Sequence, residues 1–119
     1  MILGIGTDLI EVKRVKVACD KEGFIDYVYT DFEQKEVAGR LLVYAGYFAA
    51  KEAVSKALGT GISGFGLKDI EIYHNKAGKP YARLYGGAKK RFLELGGKVI
   101  HLSITDTDDY AFAFAIVEN

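Results

Sequence analysis

The chain has 119 residues, 50% hydrophobic and 27% charged, enough to bury a core within one domain spanning residues 1–119. Its 16 basic and 16 acidic side chains cancel, which excludes a dedicated nucleic-acid binder with a surplus of Lys and Arg. The uncharged run LLVYAGYFAA is far shorter than the roughly 20 residues of a membrane span, and a lone Cys19 suits packing in a reducing cytoplasm better than a disulfide.

The opening MILGIGTDLIEVKR predicts a buried strand over residues 2–7, with Gly4 and Gly6 leaving room for close backbone approach. The apolar start lacks the basic flank of a signal peptide. Asp8 then stands among apolar neighbours, where a carboxylate is costly unless it is paired, hydrogen-bonded or bound to a cation. It also qualifies as the N-cap of the basic, helix-like segment EVKRVKVACDK. Next, YTDFEQKEVAG offers Thr30 as an N-cap with Glu33 three residues on, a capping box. Residues 41–58 lack Pro and are rich in Leu and Ala, predicting a long helix stopped by Gly59 and Gly61.

Beyond that helix the period becomes strand-like. Residues 67–73 and 81–85 read as strands joined by the turn HNKAGKP, and residues 87–95 as a short helix. VIHLSIT alternates Ile100, Leu102 and Ile104 with His101, Ser103 and Thr105, a half-buried strand. YAFAFAIV alternates large residues with Ala111, Ala113 and Ala115, which predicts a central strand with a helix close on its alanine side. No repeat or linker interrupts the chain. The expected class is α+β, an antiparallel sheet packed on a long central helix.

Within the long helix, FAAKEAVSKALGTG puts Glu52, Lys56 and Gly59 along one line. Gly46, Ala50, Ala53 and Ala57 form a stripe of small residues beside them. Glu52 and Lys56 fit an i,i+4 surface ion pair worth about 0.2–0.5 kcal/mol, but the small stripe places them at a crowded junction. Gly59, Gly61 and Gly64 spell G-x-G-x-x-G. A dinucleotide fingerprint must follow a strand and open a helix; these glycines end one, where the dipole repels anions. That reading is rejected, and a phosphate near the loop needs a cation such as Lys56.

Three motifs belong together: Gly6-Thr7-Asp8-Leu9 ending at Arg14; Phe48, Ala49, Lys51, Glu52, Ala53, Lys56 and Gly59; and Asn75, Gly78, Lys79 and Pro80. Their order and spacing resemble the acyl-carrier-protein synthase type of 4′-phosphopantetheinyl transferase over essentially the whole chain. Two positions depart from that family: Asp106 stands where His is common, and Tyr47 where Arg is common. Both family positions are expected near the nucleotide end of coenzyme A.

The resemblance implies transfer of the 4′-phosphopantetheine arm from coenzyme A to a serine of an acyl carrier protein, releasing adenosine 3′,5′-bisphosphate. It implies Mg²⁺ held by Asp8 and Glu52, a setting that explains the strand-end carboxylate. Lys56 is expected to stabilise charge on the leaving nucleotide, or else to be the structural partner of Glu52. The base for the seryl proton stays open among Glu52, Asp8 and a metal-bound water. Contacts to coenzyme A are expected from Lys56, Gly59, Pro80 and Thr105, with Lys51 giving a supporting phosphate contact at most. Arg14 and, second, Lys21 are the candidates for docking the acidic helix of a carrier protein. A single module implies a homotrimer with its site between subunits. Two alternatives remain: another Mg²⁺-dependent pyrophosphate-cleaving enzyme, and a non-catalytic carrier-binding module whose nucleotide site has decayed at Asp106 and Tyr47.

Overall fold

A computed structural model describes residues 1–119. The first strand, β1, runs Ile2–Glu11, past the expected end at residue 7, because Asp8 to Glu11 continue the antiparallel ladder opposite Ala113 to Tyr110. Asp8 is therefore neither a strand-end residue nor a cap. The helix that follows, α1 (Val12–Cys19), starts from Glu11, whose side chain makes no capping bond. Cys19 is half-buried against the core, and burial raises its thiol pKa, as suits a packing residue.

A short helix, α2 (Phe24–Val28), has 5 residues, too few to leave a periodic signature. The capping box of α3 (Asp31–Val37) forms as expected: the Glu33 N–H donates to Thr30 Oγ1 at 3.2 Å and the Thr30 N–H donates to Glu33 Oε1 at 2.9 Å. The long helix is α4 (Leu41–Ala57). Gly59 follows it in the left-handed region at φ 83°, a conformation that favours glycine. The chain then curls through a 3₁₀ turn at Leu67–Asp69 before β2 (Ile70–His74) begins, later than the expected start at residue 67. β2 pairs only with β3 (Pro80–Leu84), a sheet of its own. α5 (Gly86–Glu94), β4 (Val99–Asp106) and β5 (Tyr110–Glu118) complete the chain.

The main sheet has the order β1-β5-β4, all antiparallel, so the alternating strand is central. Ala111, Ala113 and Ala115 are fully buried on the side that α4 covers. Helix and sheet meet closely because the residues between them lack bulk. A methyl group on Gly4 or Gly6 would run into the carbonyl oxygens of Ala57 and Ala53. The opposite face of the sheet stays apolar and exposed at Ile5, Leu9 and Phe112.

One polar cluster crosses the core. Lys51 and Glu33 are both 0% exposed, and Lys51 Nζ lies 2.7 Å from Glu33 Oε1. The ammonium also donates to the carbonyls of Leu67 and Ile70. Glu33 Oε2 accepts the Ile72 N–H at 2.7 Å. Thr30 Oγ1 in turn donates to Glu71 Oε2 at 2.6 Å. Every hydrogen of the ammonium is thus engaged, which overturns the expected phosphate contact from Lys51: the charge is spent inside the fold.

Candidate active site

On the inner face of β1, Gly4, Gly6 and Asp8 follow one another at strand spacing. The first two carry no side chain and let α4 descend onto the strand. Asp8 is the next position along that face and the first with a side chain, so its carboxylate enters the junction between strand and helix. Glu52 and Lys56 come to the same junction from α4, one turn apart.

Lys56 Nζ lies 3.5 Å from Asp8 Oδ1 and donates to the Thr7 carbonyl at 2.9 Å. The alternative i,i+4 pairing with Glu52 does not form; Glu52 has no salt-bridge partner in the chain. The side chain of Asp8 is 17% exposed and that of Lys56 53% exposed, so one end of the pair is sheltered and the other faces solvent. Burial raises the Asp8 pKa, and the Lys56 ammonium partly offsets this. Burial also raises that of Glu52; the Asp8 charge adds to the effect and Lys56 opposes it. Two carboxylates thus share a partly desolvated space with one lysine between them.

Asp8 and Glu52 line a cleft of about 370 Å³, with Arg14 at its edge and Ile10, Phe24 and Phe48 among its apolar walls. The donor set is two carboxylates, hard oxygen ligands, with no further His, Cys, Asp or Glu grouped with them. That fits Mg²⁺, which takes one or two carboxylates and fills its remaining positions with water and phosphate oxygens. Arg14 also lines a second groove with Lys13, Val17, Ala18 and Lys21, so Arg14 and Lys21 share one basic surface that adjoins the cleft.

The other expected residues lie apart from this cluster. Gly59 sits just beyond α4, where Arg91 Nε donates to the Leu58 carbonyl at 2.9 Å. Pro80 starts β3 opposite His74. Thr105 is opposite Phe112 in the main sheet and in register with Leu9 on β1, on the exposed apolar face. Tyr47 is buried, with its hydroxyl 2.9 Å from His74 Nδ1 and the two rings stacked at 5.6 Å. Burial pushes its phenol up to about 12 and pulls the His74 pKa down, so neither ring supplies the positive charge of an Arg. Asp106 is exposed at the end of β4. The glycines at 59, 61 and 64 follow a helix, as their rejection as a dinucleotide loop requires.

Sequence reasoning missed Phe24 and Arg91. Phe24 lies in the unexpected α2, and Arg91 reaches the end of α4 from 33 positions away. Neither has a local signal.

The family model of the 4′-phosphopantetheinyl transferase superfamily matches residues 4–115. The chain is 42% identical over 118 residues to the holo-[acyl-carrier-protein] synthase of Lachnoclostridium phytofermentans, covering 99% of this chain and 97% of that one. Among solved structures, the holo-[acyl-carrier-protein] synthase of Neisseria meningitidis superposes with a TM-score of 0.89 at 38% identity, covering 100% of both chains. The Bacillus anthracis holo-(acyl-carrier-protein) synthase in complex with CoA (3′,5′-ADP) superposes with a TM-score of 0.84 at 36% identity, covering 100% of this chain and 98% of that one.

Proposed function

The chain belongs to the 4′-phosphopantetheinyl transferase superfamily, and we propose that it works as a holo-[acyl-carrier-protein] synthase. It moves the 4′-phosphopantetheine arm of coenzyme A onto a serine of an apo acyl carrier protein. The observation that carries this reading is the convergence of Asp8, Glu52 and Lys56 at one junction between β1 and α4.

The seryl oxygen attacks the pantetheine-bearing phosphorus of the coenzyme A pyrophosphate. The bond from that phosphorus to the bridging oxygen breaks, and adenosine 3′,5′-bisphosphate leaves with the bond's electron pair. Asp8 and Glu52 are the residues that would hold Mg²⁺, which when bound supplies charge neutralisation at the pyrophosphate. Lys56 presents its ammonium to the charge that grows on the leaving oxygen. The seryl proton is taken up on the Asp8 and Glu52 side of the cleft, where Glu52, with no salt-bridge partner in the chain, is available either to the cation or to that proton. The apolar walls at Ile10, Phe24 and Phe48 limit water around the reacting atoms.

Arg14 and Lys21 meet the acidic helix of the carrier protein, acting mainly on association rate and specificity. Gly59, Pro80 and Thr105 contact coenzyme A. Thr105 lies on the apolar sheet face with Ile5 and Leu9, which are 61% and 64% exposed, and this supports a homotrimer with each site completed by a neighbouring subunit. The unit is taken as one transferase domain over residues 1–119, acting in the cytoplasm; no helix is long and apolar enough to cross a membrane.

Incubation with coenzyme A, Mg²⁺ and an apo carrier protein, followed by mass spectrometry of the carrier, tests the transfer. The carrier is expected to gain one phosphopantetheine; an unchanged mass overturns the reading. Sedimentation is expected to find a trimer, and a fully active monomer overturns that part. Mixing two different inactive variants distinguishes a shared site, because only a site built from two subunits regains activity in the mixture.

A further inference from the structure

The residue immediately before Glu52 is the most completely bonded charge in the molecule. Lys51 Nζ reaches Glu33 in α3 and the carbonyls of Leu67 and Ile70, on the far side of the glycine-rich loop that leaves α4. The near end of that loop is held by Arg91 at the Leu58 carbonyl. Between these anchors the loop has little of its own to hold it: around Gly61, Gly64 and Gly66 there is open space where a side chain would be. Glu33 is fixed as firmly as Lys51, by the N–H groups of Thr30 and Ile72.

We propose that Lys51, seated on Glu33, is a positioning residue for the transfer reaction. It sets the roll of α4 that aims Glu52 at Asp8, and it pins the return of the Gly59–Gly66 loop so that helix and loop move as one piece. The inference rests on the transferase reading for its kinetic arm only. The Lys51–Glu33 pair itself, fully buried, touches neither substrate nor cation. A displacement of about 1 Å in a reacting group is enough to lower turnover on the order of 10²-fold, so a device of this kind is visible in kcat.

The test must separate positioning from mere stability. Lys51→Met leaves Glu33 buried and unpaired, so it lowers both stability and turnover and does not discriminate alone. The double variant Lys51→Met with Glu33→Gln removes both buried charges. Neutral replacement of a whole buried pair often restores stability, whereas the carbonyls of Leu67 and Ile70 still lack their donor. The double variant is therefore expected to regain much of the melting temperature lost by Lys51→Met. Its kcat stays lower than that of the parent chain on the order of 10²-fold, with a smaller change in KM. Hydrogen exchange of the metal-free, ligand-free double variant is expected to show lost protection at amides 67–72 and in the adjoining loop.

Recovery of kcat in step with melting temperature overturns the proposal, as does parental exchange at those amides. Unfolding of both variants overturns it too, assigning the pair to holding the fold alone. If the parent chain itself fails to transfer, the transferase reading is what has failed, and the exchange pattern alone decides whether Lys51 pins the loop.

Discussion

Lys51 and Lys56 stand on the same helix and meet opposite fates. Lys51 is 0% exposed and bonded to a carboxylate and two carbonyls. Lys56 is 53% exposed, with a carboxylate at 3.5 Å and one carbonyl. Their acidic partners differ in the same way. Glu33 accepts from Lys51 and from two backbone N–H groups, whereas Glu52 has no ion-pair partner and feels the repulsion of Asp8. A charge cluster with every bond made has nothing left to offer a ligand. One that remains under-bonded and partly desolvated is poised for a cation or a phosphate. The inner cluster should therefore govern stability and touch turnover only by positioning α4, whereas the outer one acts on turnover directly.

Removing either outer carboxylate should have the largest effect. Asp8→Asn and Glu52→Gln are each expected to abolish transfer while the circular dichroism spectrum stays that of the folded chain. Excess chelator should do the same, and full activity in EDTA would break the contrast at its strongest point. On the inner side, Lys51→Met leaves an unpaired buried carboxylate and should cost about 3–5 kcal/mol in denaturant unfolding. A loss no larger than that of an exposed pair, about 0–1 kcal/mol, would mean that burial does not separate the two clusters.

Lys56→Ala should reverse that pattern. Loss of one electrostatic donor at a developing charge costs on the order of 10²–10³ in kcat, with KM changing less and the melting temperature barely moving. Lys56→Arg keeps the charge but alters its reach, so it should rescue only in part. Normal turnover in Lys56→Ala would reduce this lysine to a surface ion pair.

The smallest effect sharpens the comparison through pH. Asp8 and Glu52 both have raised pKa values in the folded chain. Their ionisation therefore destabilises the fold: the stability they contribute is complete below their unfolded values and is lost as pH rises through the folded ones. In chelator near neutral pH, Glu52→Gln should melt above the parent chain. That gain should vanish as pH falls through the carboxylate range. Added Mg²⁺ should raise the melting temperature of the parent more than that of the variant. A Glu52→Gln chain that melts lower in chelator at neutral pH would show that the repulsion is not there.

Long periodic elements were legible from the sequence. α4 showed itself through its uninterrupted helix formers, β5 through its alternation of alanines with large residues, and α3 through Thr30 and Glu33. Asp8, Glu52 and Lys56 could be singled out because their motifs are local. The length of β1 was not legible, since Asp8 to Glu11 are strand residues only because β5 lies opposite them. The role of Lys51 was hidden for the same reason: its acceptors lie 16 to 19 positions away, and helical periodicity shows only that it points away from Glu52. The contact of Lys56 with Asp8 was not legible either: spacing along one helix could offer only Glu52 as an alternative partner, while Asp8, on another element, is the one within reach.

The register of β1 has a consequence for what this strand can tolerate. Gly4, Gly6 and Asp8 face the helix, while Ile5, Thr7 and Leu9 face outward. A slip of one residue exchanges the two sets. The Leu9 side chain would then take the inward place of the carboxylate, Asp8 would stand on the apolar outer face, and Ile5 would meet α4 where only a hydrogen fits. A single insertion or deletion early in this strand is thus not a local lesion: it would unseat the helix, empty the cleft of the Asp8 carboxylate and charge the outer surface in one step.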